Sequence, residues 1–185
     1  MAVNNEAYKC KFRSLQGFGF LMNKAIFLDR DGVINKAIVK NGRPYPPSSI
    51  AELDFFPDTF DALQAMHLIG FKLIVVTNQP DVARGTILKS TVDEINSYLL
   101  NSLPILEVYT CFHDSDDNCI CRKPKPGALL AAAQKHSIDL ASSYMIGDRW
   151  RDIEAGQRAG CRTIFIDYGY DEKQPENADY SVKSL

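Results

Sequence analysis

The sequence predicts an α/β protein, a Rossmann-like three-layer sandwich with a central parallel sheet and no inserted cap domain. Three observations carry this expectation. Short β-branched runs alternate with longer helical patterns; the strand runs stop abruptly at polar or acidic residues; and the intervals between them suit right-handed crossovers. At 185 residues with 45% hydrophobic content, the chain has enough apolar material for one core. A net charge of -2, without a basic run, gives no reason to expect nucleic acid or an anionic membrane as a partner. No apolar run reaches spanning length and no export segment opens the chain, so a cytoplasmic protein with reduced thiols is expected.

Residues 1–22 have neither helical nor strand periodicity and read as a loosely ordered extension, leaving a single domain over 23–185. The first strand covers 25–29 and runs into Asp29-Arg30-Asp31-Gly32-Val33. Two carboxylates spaced i, i+2 at a buried strand end repel one another unless a cation joins them, and Mg²⁺ with phosphate is the usual resolution. In an open parallel sheet that end is also where ligands bind. Residues 36–54, with Gly42, Pro44, Tyr45, Pro46 and Pro47, oppose helix and central strand and read as a structured loop facing a substrate.

Apolar residues at helical spacing over 58–69, closed by Gly70, predict an amphipathic helix in which His67 has a surface or packing role. The strand at 71–76 ends in Thr77-Asn78-Gln79, which places small polar donors at a second strand end. After a turn at 81–85, overlapping capping boxes at Ser90 and Thr91 predict a helix to about Leu100. A third strand over 105–110 follows.

Of five cysteines, Cys111, Cys119 and Cys121 fall within eleven residues and His113 lies among them. Two Cys/His pairs on a polar loop fit a closed Cys₃His zinc site, structural because no coordination position stays open. Arg122-Lys123-Pro124 follows at once, ahead of a helix over 128–136. A fourth strand over 143–146 ends in Gly147-Asp148-Arg149-Trp150-Arg151-Asp152, with Asp152 opening a helix over 153–159. A fifth strand covers 162–166, and the polar remainder is expected to wrap the edge of the sheet. Carboxylates, a hydroxyl and a lysine converging at one end of a parallel sheet are what phosphoryl transfer to a carboxylate with Mg²⁺ requires.

These motifs resemble, in order and at strand ends over about residues 24–168, the four signatures of the haloacid dehalogenase superfamily of phosphatases. With the Cys-x-His and Cys-x-Cys loop they resemble its zinc-bearing branch, which holds the heptose-bisphosphate and histidinol-phosphate phosphatases. The resemblance implies Asp29 as nucleophile, Asp31 as general acid and base, and Thr77 and Lys123 as holders of the phosphoryl oxygens. It implies Mg²⁺ on Asp29, the Asp31 backbone carbonyl and Asp148, and Zn²⁺ on Cys111, His113, Cys119 and Cys121. Asn78, Gln79, Arg122 and Arg149 would line the substrate pocket, and Asp152 would orient the metal's water or Lys123. Pro80-Asp81 stands where heptose enzymes often have Ser-Gly after the triplet. The implied activity is a monomeric, Mg²⁺-dependent phosphatase acting on a small sugar phosphate, foremost a heptose bisphosphate. Histidinol phosphate is the same-class alternative, and a non-catalytic zinc-stapled binding domain the alternative of another class.

Overall fold

A computed structural model describes residues 22–185, so the expected extension, Met22 apart, lies outside the described residues. Six parallel strands form the sheet: β1 (Ala25–Leu28), β4 (Lys72–Asn78), β5 (Glu107–Cys111), β6 (Tyr144–Gly147), β7 (Arg162–Ile166) and β8 (Tyr180–Val182). Their order is β5-β4-β1-β6-β7-β8. The chain winds from β1 out to β5, then returns to the other side of β1 for β6. The switch point therefore falls between β1 and β6, where open α/β sheets bind ligands.

Strand alternation sorts the core into two layers. Ala25 and Phe27 face α3 (Gly127–His136) and α4 (Trp150–Ala159), packing with Leu129, Ala132 and Ala155. Ile26 and Leu28 face the other side, packing with Leu63 of α1 (Thr59–Leu68) and Leu99 of α2 (Lys89–Ser102). Burial on both faces explains why β1 and β4 read as continuous apolar runs rather than alternating ones. This is the expected three-layer sandwich.

Several local expectations change. Within residues 36–54, β2 (Ile38–Lys40) and β3 (Arg43–Tyr45) form an antiparallel hairpin separate from the main sheet. Asn41 and Gly42 both have positive φ, the pair that a two-residue type I′ turn requires. The α1 helix buries chiefly Thr59 and Leu63, leaving Phe60, Leu68 and His67 exposed, so its amphipathic character is weak. The start of α2 is Lys89 with Leu88 as its cap, so the Ser90 and Thr91 boxes lie inside the first turn. The amides of Thr86 and Ile87 close onto the Asp81 carbonyl, delivering the chain into the helix early. Likewise Asp152 is the third residue of α4, not its opening residue. The tail beyond Asp167 adds β8 as a sixth strand instead of only wrapping the edge.

Candidate active site

Pairing level sets the site. Leu28 is in register with Val75 and Ile146, so Thr77 and Asp148 stand one residue beyond the level of Asp29 at the same end of three neighbouring strands. The Asp29 amide donates to the Ile146 carbonyl (3.0 Å), and the chain then turns at Gly32, whose φ is +94°. A Cβ at Gly32 would lie 1.9 Å from Asp148 Oδ2, so only glycine allows the β1 turn to cross the Asp148 carboxylate. At the end of β6, Gly147 meets the same demand from Asp152, 2.1 Å from where its own Cβ would stand.

Lys123 is the hub. Its side chain is 1% exposed, and Nζ reaches Asp29 Oδ1 at 2.9 Å, Asp152 Oδ1 at 2.7 Å and the Val76 carbonyl at 2.6 Å. Burial acts to lower the ammonium's pKa, but Asp152 and Asp29 outweigh it and hold the pKa above its ordinary value. Burial pushes the Asp29 carboxyl up to about 6, opposed by Lys123. Asn78 fixes the lysine's backbone, donating to its carbonyl (3.0 Å) and accepting from its amide (3.1 Å).

Asp31 is held differently. Arg30, fully buried, directs Nε and Nη2 at the Asp31 carboxylate (3.0–3.2 Å), while Asn35 and Gln79 donate to it at 3.0 and 2.8 Å. Arg30 Nη1 donates to Asn96 Oδ1 on α2, and Asn96 in turn donates to Thr110 Oγ1 of β5. Gln79 thus sits behind Thr77 and against Asp31, donating also to Thr77 Oγ1 (2.9 Å).

Asp148 is the unbalanced group. It is 1% exposed, and neither carboxylate oxygen meets a donor at full hydrogen-bonding geometry among the described residues, the Tyr170 hydroxyl being the group that stands nearest to filling that role. Burial raises its pKa well above the ordinary value, with the charges of Asp29 and Asp152 adding to the effect and the Tyr170 hydroxyl and Arg149 only partly opposing it. Oxygen ligands of Asp29, Asp148 and Asp152 lie within 4.8 Å of one another. Because Lys123 and the Arg149 amide (3.0 Å) already occupy Asp152, the vacant hard donors belong to Asp29 and Asp148. Orphaned, buried, all-oxygen donors at this spacing fit a divalent cation such as Mg²⁺.

The cysteine loop stands beside this centre because Cys111 ends β5 opposite Asn78. Sγ separations among Cys111, Cys119 and Cys121 are 3.4, 3.5 and 3.7 Å, and His113 Nδ1 lies 3.6 and 3.5 Å from Cys111 and Cys121. Tetrahedral zinc with ordinary Zn–S and Zn–N bonds needs edges of about 3.8 Å and about 3.6 Å. The four side chains are therefore already arranged as a closed tetrahedron, and Lys125 Nζ braces the loop by donating to the Cys119 carbonyl (2.9 Å).

The cavity over these groups is lined by Asp29, Asp31, Thr77, Asn78, Arg122, Lys123 and Arg149, together with Pro44 and Tyr45 of the hairpin. The region read as a substrate-facing loop thus does overlie the centre. Arg149 forms an ion pair with Glu172 from the segment after β7. Arg30, Asn96, Glu172 and Arg151 carry no local sequence signal of the places they take here. Arg30 stands between two acids at a strand end, where it reads as a solvent-facing residue. Asn96 and Thr110 acquire their roles only when α2 and β5 close over it.

Residues 120–185 match a family model described as HAD-hydrolase-like. The chain is 38% identical to D-glycero-beta-D-manno-heptose-1,7-bisphosphate 7-phosphatase of Helicobacter pylori, covering 74% of this chain and 79% of that one. It is 34% identical to the corresponding alpha-anomer enzyme of Photorhabdus laumondii, covering 84% and 89%. Among solved structures, D,D-heptose 1,7-bisphosphate phosphatase from B. bronchiseptica, complexed with magnesium and phosphate, superposes with a TM-score of 0.69 at 27% identity, covering 87% and 93%. The chain is a phosphoric monoester hydrolase and belongs to the HAD-like family of heptose-1,7-bisphosphate phosphatases.

Proposed function

We propose that the chain removes the C7 phosphate of a D-glycero-D-manno-heptose 1,7-bisphosphate through an aspartyl phosphate on Asp29. The carrying observation is the Asp29–Lys123–Asp152 chain of ion pairs beside the unpartnered Asp148 carboxylate. Mg²⁺ would be held by Asp29, Asp148 and the Asp31 backbone carbonyl, supplying positive charge to neutralise the carboxylates and the phosphoryl oxygens. A carboxylate oxygen of Asp29 attacks phosphorus as the P–O bond to C7 breaks, and Asp31 gives its proton to the leaving oxygen. Water then attacks the phosphoryl group, Asp31 takes the proton back, and inorganic phosphate leaves with Asp29 regenerated. Lys123 and Thr77 hold the non-bridging oxygens, whose charge is best met in the transition state by groups already fixed in place.

Asn78 acts here by fixing the Lys123 backbone, and Gln79 by orienting Asp31. Arg122 reaches the part of the substrate remote from the reacting phosphate. Histidinol phosphate, with a cationic amine, would meet a cavity wall rich in arginine, which favours the bisphosphate. Zinc on Cys111, His113, Cys119 and Cys121 is structural, stiffening the loop that delivers Arg122 and Lys123. Among the described residues no helix is long and apolar enough to cross a membrane. The reading places a monomer in the cytoplasm, with neither nucleic acid nor membrane as partner.

The test is Mg²⁺-dependent phosphate release from heptose 1,7-bisphosphate anomers, with histidinol and hexose phosphates beside them. Asp29→Asn should lower kcat/KM by at least about 10³-fold, since the nucleophile is lost. Equal release by both proteins, or none by either, would defeat the proposal.

A further inference from the structure

We infer that Arg151 and Arg43 are specificity-determining residues that, with Arg122, bind a second phosphate on the substrate, while Arg149 does not. A cleft continuous with the reaction cavity is lined by Arg43, Arg84, Arg122, Arg149 and Arg151, and Asp81 is the carboxylate in its lining. Partners divide these five cations. Arg84 is paired with Asp114 (2.6 Å) and Asp81 (3.2 Å), and Arg149 with Glu172. One Nη of Arg122 donates to the His113 carbonyl (3.1 Å), while the other stands 3.7 Å from Asp114, a distant and partial partner.

Arg151 and Arg43 have no carboxylate within 4.0 Å among the described residues. Arg151 is half-buried, its guanidinium laid over the Trp150 ring at 4.7 Å, so its direction is set by packing. Burial and the neighbouring charges of Arg149 and Arg122 work against its cationic form and outweigh the carboxylates of Glu172 and Asp152, neither of which comes within 4.0 Å. Partly desolvated like charges gathered without a carboxylate in direct contact are unfavourable unless an anion joins them. Arg43 approaches the same cleft from the β2–β3 hairpin, so two separate segments supply the uncompensated charge.

The ligand class is a small sugar carrying a second phosphate dianion remote from the one that reacts. Arginine's planar fork suits phosphate oxygens, which a neutral sugar terminus could not satisfy. This inference rests on the bisphosphate reading given above.

The experiment compares kcat/KM for heptose 1,7-bisphosphate and for heptose 7-phosphate in the wild type, Arg151→Gln, Arg151→Lys, Arg43→Gln and Arg149→Gln. The bisphosphate-to-monophosphate ratio should fall about 10- to 100-fold in Arg151→Gln, the range for losing charge-assisted hydrogen bonds. Arg43→Gln should lower it less, its side chain being exposed, and Arg151→Lys should recover part of the loss. Arg149→Gln should leave the ratio within about threefold. Inhibition by heptose 1-phosphate, the product that keeps the second phosphate, should weaken in Arg151→Gln in the same proportion. An unchanged ratio in Arg151→Gln, or equal losses on both substrates, would overturn the inference while leaving the bisphosphate reading intact. A wild type without preference for the bisphosphate would overturn both.

Discussion

Replacing Lys123 by methionine tests whether a buried cation holds the centre together. The substitution keeps the aliphatic stem but strands the carboxylates of Asp29 and Asp152, which the ammonium meets at 2.9 and 2.7 Å while 1% exposed. Removing one partner of a buried charge network costs about 3–5 kcal/mol. For a chain of this size that corresponds to a fall in Tm of about 6–20 °C. In the wild type Asp29 is raised to about 6 by burial, with Lys123 pulling it down; without the lysine it rises further.

A folded-state carboxyl above its unfolded value of about 3.9 binds its proton more readily in the native protein. Its effect on stability is therefore most favourable at low pH and is lost as pH rises through the folded value. The deficit of Lys123→Met, measured by thermal and urea unfolding in Mg²⁺-free buffer, should be larger at pH 8 than at pH 5. Adding Asp152→Asn to Lys123→Met should recover part of the loss, although Asp152→Asn alone destabilises, a sign reversal that reports their coupling. On activity, kcat/KM should fall about 10²–10³-fold. A Lys123→Met protein melting within about 2 °C of wild type, or equally deficient at both pH values, would refute this account of the hub.

Two further outcomes follow from the geometry. Protein purified without chelator should hold about one zinc per chain by elemental analysis, and Cys119→Ser should lose it and melt lower, since four donors already stand at tetrahedral separations; zinc well below that content in the wild type would reject the site. Gly32→Ala should cost about 1–3 kcal/mol of stability through its positive φ and lower kcat/KM at least about 100-fold by displacing Asp148, whose oxygen lies 1.9 Å from the added Cβ. Wild-type kcat/KM in Gly32→Ala would show that the close approach of the turn to Asp148 has no catalytic consequence.

Much of this architecture was legible in the chain because its signals are local. The runs at 26–28 and 73–76 are strand-length and apolar, and each stops at groups that carry chemistry. Cys111, His113, Cys119 and Cys121 declare themselves by type and spacing, since few other uses bring three thiols and an imidazole into one polar loop. The hairpin was legible too, in Asn41-Gly42 between Ile38-Val39 and Tyr45, but the prolines around it masked the signal. Helix starts were misplaced because the caps at Ser90 and Asp152 compete with tertiary closure of the preceding loop.

The order of the elements, the parallel sheet and the residue types at each strand end are all readable along the chain. Those depend on periodicity and on which side chains tolerate a buried or a turning backbone, and both are written residue by residue. How those groups divide the work depends on contacts between segments far apart in the chain. Register sets Asp148 against Gly32 and leaves its carboxylate unpartnered, and α2 closes Asn96 onto Arg30 so that Asp31 is held from behind. The segment after β7 brings Glu172 to Arg149, so on α4 the cation left facing the cleft without a direct carboxylate partner is Arg151, two positions on. Charge compensation is a pairwise property of residues distant in sequence, and no local pattern records which arginine finds a carboxylate and which is left for the substrate.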